Sequence, residues 1–301
     1  MCFSNQRAAR MPGCSQRRLR FSDTLGLRLS ARGEIRGLAG LFLLLAVVTA
    51  GRGAPSFPLQ DGEHLSYRVS WAIVAGAGEI KVEAHLDPAV PDRLVVTTTT
   101  ATRRLARLLL PFEATANSVY DLASGKLQSL DEASTVRAKQ TSHQVAFDYA
   151  SRAAIYTPHG EKSVPRTLAL PAGDPTDLIL GLLQTRSWNL KPGESRDALV
   201  LWDDEFYELT VHAVRDEEVG TPLGKFNTIV LEPRMEKTAP KGMFKRGSSV
   251  RVWITQDDRR LPVKFEVEFK IGTGTATLDA YQPPLSARLA AVTPDAKDPR
   301  P

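Results

Sequence analysis

Alternation of apolar and polar residues is the feature that most constrains what this chain can fold into. In HLSYRVSWAI (64–73), EIKVEAHL (79–86) and LPVKFEVEFKI (261–271), every second residue is apolar and the intervening residues are mostly polar. Successive side chains of a β-strand point to opposite faces, so each segment offers one face to a core and one to water. Because parallel sheets are buried on both faces, this pattern predicts antiparallel strands.

Further strands and a single helix complete the predicted architecture. The helix is predicted over 174–187, with Asp174 as its N-cap, Pro175 at its first position, and an apolar stripe of leucines and Ile179. The fold class we predict is mainly β: a strongly curved antiparallel sheet or half-open β-barrel, with an apolar inner face and this helix plugging it. The additional strands are expected at 93–102, 113–121, 126–137, 143–149, 153–157, 198–203, 205–215 and 226–232.

The first fifty residues differ from the rest and are typical of a secretory signal peptide with a long basic extension. Arg32 and Arg36 precede the uncharged run GLAGLFLLLAVVTA (37–50), which ends in small residues. The run is too short for a spanning helix, so cleavage after Ala50 and export to the periplasm are expected. We then expect a linker at 51–61, one β domain at 62–281, and a disordered tail at 282–301.

Charge and cysteine content exclude several classes of function for the exported part. The chain has 39 basic and 34 acidic residues, and removing the eight arginines and two acids of the leader leaves 31 and 32. The basic balance therefore belongs to the leader, and nucleic acid is not an expected partner. Cys2 and Cys14 also lie in the leader, which excludes disulfides and thiol chemistry from the mature protein.

The most charged cluster, Gln256–Arg260, lies between two alternating segments and is interpreted as a hairpin turn, in which aspartates bond their own backbone. Asp257 with Arg259 or Arg260 remains open as a partner-binding group. Zinc-binding, serine-nucleophile and phosphate-loop motifs are missing from the sequence. We therefore expect no catalytic residue, no metal site and no cofactor, although a pair of carboxylates for glycan hydrolysis has no fixed sequence spacing.

The segment ATRRLARLLLPF (101–112) interleaves Arg103, Arg104 and Arg107 with leucines that include Leu108. A short basic amphipathic element can lie on an anionic membrane surface with its leucines inward. It could equally be a lid over a cavity, or a loop that packs its leucines into the core and leaves its arginines in water.

An ordered set of motifs resembles a known family. GEHLSYRVSW, VAFDYASRAAIY, DPTDLILGLLQTR, TPLGKFNTIVLEP and VWITQDDRRLPVKFEVEFKIGTGTATLDAY resemble, in this order, bacterial exported proteins of the domain-of-unknown-function family 3108. Gln256 stands where that family often has an acid. The resemblance implies an envelope protein similar in shape to the half-open barrels of LolA and LolB lipoprotein carriers.

Three functions are compatible with these observations. The first is a non-enzymatic periplasmic carrier for an apolar ligand such as a lipid or acyl chain, since apolar cavities suit such ligands. The second is a scaffold in envelope polysaccharide or outer-membrane assembly, and the third, the least expected, is an enzyme. The residues predicted to line the carrier's cavity are aromatic: Trp71, Phe147, Trp202, Trp253, Phe265 and Phe269.

Overall fold

The computed structural model describes residues 57–160, 163–245, 248–269 and 272–292, all within the compact unit Arg52–Pro301. The predicted signal peptide and its cleavage site lie outside the described residues. The strands are β1 His64–Trp71, β2 Val74–Leu86, β3 Arg93–Thr102, β4 Phe112–Asp121, β5 Lys126–Val136, β6 Lys139–Asp148, β7 Ala153–Pro158, β8 Arg166–Ala169, β9 Thr176–Asp177, β10 Ser195–Trp202, β11 Glu205–Thr221, β12 Gly224–Arg234, β13 Ser249–Thr255, β14 Pro262–Phe269 and β15 Gly272–Gln282. The α-helices are α1 Arg104–Leu109, α2 Leu178–Leu183 and α3 Leu285–Val292.

The strands form one sheet in the order β8-β7-β6-β5-β4-β3-β2-β1-β15-β14-β13-β12-β11-β10-β9. Strands consecutive in sequence are therefore paired, except β8 and β9, which lie at opposite edges, and β1 pairs with β15 to join the two halves in the middle. Every pairing is antiparallel apart from the short parallel contact between β9 and β10. The predicted mainly-β fold, a curved and unclosed antiparallel sheet, is confirmed.

Side chains link the two ends of the sheet where its backbone does not close. The Arg166 guanidinium on edge strand β8 lies 2.7 Å from the Asp204 carboxylate in the turn between β10 and β11. Beside it, the Tyr156 hydroxyl of β7 donates to Asp203 over 3.2 Å. The curvature of the sheet brings these distant strands together, and the contacts cover part of the edge strand β8.

Helix α2 lies inside the curve, as predicted, but begins later than the sequence indicated. Its N-cap is Asp177, not Asp174, and the Asp177 carboxylate accepts from the Leu180 amide over 2.9 Å. Thr176 and Asp177 pair with β10, so these residues stay extended and delay the helix. A Cβ on Gly181 would collide with Val200, so only glycine lets α2 pack this closely on β10.

A buried arginine links three parts of the chain near the turn between β13 and β14. Arg186, in the 3₁₀ turn Gln184–Ser187 that follows α2, pairs with Glu63 at 2.8 Å, and Glu63 is only 1% exposed. The same guanidinium donates to the carbonyls of Pro58, Arg259 and Arg260. It therefore ties the helix segment to the start of the domain and to the turn between β13 and β14.

That turn is the charged cluster, and the hairpin interpretation is confirmed. Strands β13 and β14 pair in antiparallel register on either side of it. Arg260 donates to the Arg186 and Trp188 carbonyls, so its charge faces backbone oxygens. Burial alone would raise the pKa of Asp257, but hydrogen bonds from Thr255 and Arg259 outweigh burial and lower that pKa.

Two predicted boundaries are wrong. The expected linker reaches into the domain, because Leu59 is 1% exposed and belongs to the core. The expected disordered tail contains α3, whose first amide, that of Leu285, donates to the Asp61 carbonyl. Leucine and alanine favour a helix there, and the prolines at 283–284 are compatible with its start. Among the described residues, none of the helices has the length and apolar character needed to cross a bilayer.

Candidate functional site

The hollow of the curved sheet contains two cavities, which lie on either side of α2. Their volumes are about 300 Å³ and about 560 Å³. Ile179 of α2 lines both cavities, so the helix divides the hollow instead of filling it. We call them the apolar cavity and the polar cavity, because their linings differ in chemistry.

The apolar cavity is lined by hydrocarbon from β1, β2, β14, β15 and α2. Trp71 and Phe269 stack at its edge, with ring centroids 5.6 Å apart. A Cβ on Gly274 would approach the Trp71 ring to 3.2 Å, so glycine at this position gives the indole its room. Other lining side chains are Val69, Ile80, Val82, Leu182, Phe265 and Val267.

The phenol of Tyr67 also lines the apolar cavity, and its polar atom is already bonded. The hydroxyl donates to the Pro262 carbonyl over 2.9 Å, and the ring packs against Phe265. Burial raises the pKa of Tyr67 well above its ordinary value, so the hydroxyl stays protonated. The Tyr67 hydroxyl therefore has its partner in the protein and needs none from a ligand.

The polar cavity is lined by the inner faces of β3 to β7 and by the end of β10. Hydroxyl groups predominate, with two carboxylates, two imidazoles and the rings of Tyr156 and Trp202 among them. The polar lining residues include Thr98, Thr100, Glu132, Ser134, Thr141 and His143. No lysine or arginine is among the residues described as lining this cavity.

Two rings of the polar cavity, those of His143 and Tyr156, contact each other and carry polar atoms. His143 Nε2 lies 3.2 Å from a Glu132 oxygen but outside hydrogen-bonding geometry, and within the described structure it has no hydrogen-bond partner. The imidazole also stacks on Tyr156, with centroids 4.8 Å apart. Burial, with the nearby Asp203 carboxylate, raises the pKa of Tyr156 to about 12, so its hydroxyl remains a donor.

The structure separates the six predicted cavity residues into three groups. Trp71, Phe265 and Phe269 line the apolar cavity. Trp202 lines the polar cavity instead. Phe147 and Trp253 are buried in the core and line neither of these cavities; Lys264 Nζ lies 4.1 Å from the Trp253 ring centre.

The open end of the hollow carries exposed leucines. Helix α1 buries none of its residues, and Leu108 and Leu109 are each 80% exposed. Ile73, in the neighbouring turn between β1 and β2, is 99% exposed. The interpretation that these leucines pack into the core is therefore wrong, since no element covers them among the described residues.

The cations beside these leucines are partly paired. Arg103 contacts Glu79 at 3.1 Å and Arg107 contacts Glu113 at 2.5 Å. Arg104, Arg137 and Lys139 are exposed at the same end and take part in none of the ion pairs found in the described part of the chain. Arg137 is held there by its amide, which donates to the Pro111 carbonyl. We call α1, the β1–β2 turn and the β5–β6 turn the rim.

Within the described ranges, no group of three or more histidine, cysteine or acidic side chains lies close enough to hold an ion.

A family model described as a protein of unknown function, DUF3108, matches residues 66–279, which is most of the chain. The chain belongs to the DUF3108 family. The match covers all strands from β1 to β15 at least in part and includes both cavities. A comparison with curated proteins gives no significant match.

Several solved structures match this DUF3108 member. A β-barrel-like protein of family DUF1849 from Brucella abortus matches with 7% identity and a TM-score of 0.48, over 75% of this chain and 99% of that one. A protein described as exported, with a YmcC-like fold, from Bacteroides fragilis has 12% identity and a TM-score of 0.29, over 75% and 98%. A protein described as a lipoprotein from Parabacteroides distasonis has 10% identity and a TM-score of 0.30, over 75% and 97%.

Proposed function

We propose that this protein is a non-enzymatic carrier for an apolar ligand, such as the acyl chain of a lipid, in the bacterial cell envelope. The observation that carries the proposal is the apolar cavity of about 300 Å³ inside the curved sheet. Its volume lies at the lower end of the range typical of small-molecule sites. Burial of hydrocarbon there is favourable by roughly 25 cal/mol for each Å² removed from water.

The rim extends this proposal to a membrane surface. Leucines that are 80% exposed are costly in water and gain contacts in the boundary between head groups and acyl chains. Arg104, Arg137 and Lys139 add positive charge beside them, which anionic lipids attract. The Trp71 end of the apolar cavity adjoins the rim, so a docked protein would present its cavity to the bilayer.

Export to the periplasm belongs to the same proposal. Its support is the basic start, the apolar run and the small residues at 48–50. N-terminal sequencing of the protein from the envelope fraction should begin at Gly51. A mature form that retains Leu43 would contradict export by this route.

The cavity is tested with N-phenyl-1-naphthylamine, an uncharged fluorescent probe. Val267 points into the apolar cavity, and Glu268, the next residue of β14, is exposed. The change Val267→Trp should obstruct the cavity and reduce probe affinity by roughly tenfold or more, about 1.4 kcal/mol. Glu268→Trp adds the same ring outside the cavity and should leave affinity unchanged.

Circular dichroism and thermal unfolding would establish that both variants fold. Equal probe affinity in wild type and in the folded V267W variant would refute the cavity as the binding site. A stable protein partner recovered from the envelope, combined with no probe binding, would instead support the scaffold function.

A further inference from the structure

The boundary between the two cavities follows a single pair of strands. Ile80 and Val82 of β2 line the apolar cavity, and their register partners on β3, Thr100 and Thr98, line the polar cavity. Partners across a strand pair are about 5 Å apart, so the lining changes from hydrocarbon to hydroxyl over that distance. Ile179 of α2 borders both cavities, so the two linings meet at this side chain and at the β2–β3 pair.

We propose that the ligand is an amphiphile with a hydrocarbon tail in the apolar cavity and an uncharged, hydroxyl-rich head group, such as a sugar, in the polar cavity. This inference rests on the proposed carrier function and names its ligand class. The larger volume, about 560 Å³, is assigned to the head group. Threonine, serine and carboxylate oxygens supply both the donors and the acceptors that sugar hydroxyls require.

The charges of the polar cavity favour an uncharged head group over an anionic one. Glu132 and Asp203 line it, and no lysine or arginine is among its described lining residues. Arg166 lies nearby, but its guanidinium pairs with Asp204 and stacks on the Tyr156 ring. A phosphate or carboxylate head would therefore meet like charge inside the cavity, while Arg137 and Lys139, cations unpaired within the described part of the chain, lie outside its lining, on the rim.

The aromatic rings of the polar cavity favour a sugar further. Tyr156 and Trp202 both line the cavity and present apolar faces with polar edges, on which a sugar ring can pack. The ring of His143 also lines the cavity and stacks on Tyr156, so it extends this aromatic surface.

The test compares dodecyl maltoside with dodecyl phosphate, which share a twelve-carbon chain, by calorimetry below their micelle concentrations. Dodecyl maltoside should bind roughly tenfold or more tightly than dodecyl phosphate. The double change Thr98→Val and Thr100→Val should weaken maltoside binding roughly threefold to tenfold, since each hydroxyl is lost without loss of volume. Thr99→Val lies on the other face of β3 and serves as the matched control.

Each outcome decides between the inference and the carrier function. Equal binding of the two probes would overturn the head-group assignment and leave the carrier function standing. Binding of neither probe would overturn both. If maltoside binding is unchanged in the folded T98V/T100V variant, the polar cavity is not the head-group site.

Orientation is measured independently by fluorescence quenching with a maltoside whose chain carries bromine. Trp71 lines the apolar cavity and Trp202 the polar one. Quenching at saturation should be largely lost in the Trp71→Phe variant and retained in the Trp202→Phe variant. The reverse result would show that the tail lies in the polar cavity and would overturn the proposal.

Discussion

At the scale of single residues, Arg186 links the segment after α2 to two distant parts of the chain. Its side chain is 10% exposed, and its guanidinium faces Glu63 together with three backbone carbonyls. Arg186→Leu leaves the Glu63 carboxylate buried without its cation, which typically costs about 3–5 kcal/mol. Urea unfolding of the variant measures this loss.

The matched control is the exposed pair of Lys225 and Glu218, 3.1 Å apart. Lys225→Ala should change the free energy of unfolding by less than about 1 kcal/mol. If Arg186→Leu is equally mild, these parts of the chain are not held together by this arginine.

Asp177 makes stability depend on pH through its burial. Burial raises the pKa of Asp177 from its ordinary 3.8, while its carboxylate caps α2 and accepts from Ser118 and Tyr120. Because the unfolded chain releases this proton first, the free energy of unfolding falls as pH rises from 3.8 to the raised pKa. The D177N variant keeps a capping side chain but has no proton to lose.

We therefore expect D177N to gain stability relative to wild type as pH rises from about 4 to about 7. Urea unfolding at both pH values measures the difference in free energy of unfolding between the two proteins. The contributions of titratable groups that both proteins share cancel in this difference. A difference that is the same at both values would show that Asp177 has no raised pKa.

At the scale of elements, α1 is the part of the rim that can be tested most cleanly. Leu108 and Leu109 are exposed, so Leu108→Asp and Leu109→Asp should leave the free energy of unfolding almost unchanged. Burying one leucine is worth about 1.5–3 kcal/mol, so each change should weaken binding to phosphatidylglycerol vesicles roughly tenfold or more. Vesicle sedimentation measures this binding.

Leu223→Asp is the control, because Leu223 is also exposed but lies in the turn between β11 and β12, away from the rim. Added salt should weaken vesicle binding as well, since Arg104, Arg137 and Lys139 contribute charge. If neither α1 change affects vesicle binding, the rim is not the membrane-binding surface.

Strands were predicted well because alternation is a local property, whereas the errors arose from contacts between distant residues. The predicted start of α2 was wrong because β9 pairs with β10, which lies later in the chain. No residue near Asp174 indicates this pairing. The position of the α1 leucines was left open because their burial depends on what covers them. α3 was missed because its docking on residues 61–62 lies outside any local pattern.

At the scale of the whole molecule, the lining of the hollow agrees with the sequence prediction in only one of its two parts. The predicted hydrocarbon lining is present on β1, β2, β14 and β15, but β3 to β6 present hydroxyls and carboxylates near the open end. A signal was available: apolar alternation in β3 stops at Val96 and continues as Thr98 and Thr100. The curvature of the sheet decides which aromatic residues line the cavities, and the sequence does not show it. In the structure, Phe147 and Trp253 lie in the core.

The account depends most on a ligand with a hydrocarbon chain lying inside the curved sheet. Native mass spectrometry of the protein purified from the envelope of its own cells tests this directly, followed by solvent extraction and analysis of the extract. The account predicts a bound mass whose extract contains an acyl chain, present in the E268W variant and lost in the V267W variant. Protein free of any adduct, or an adduct retained equally by both folded variants, would contradict it.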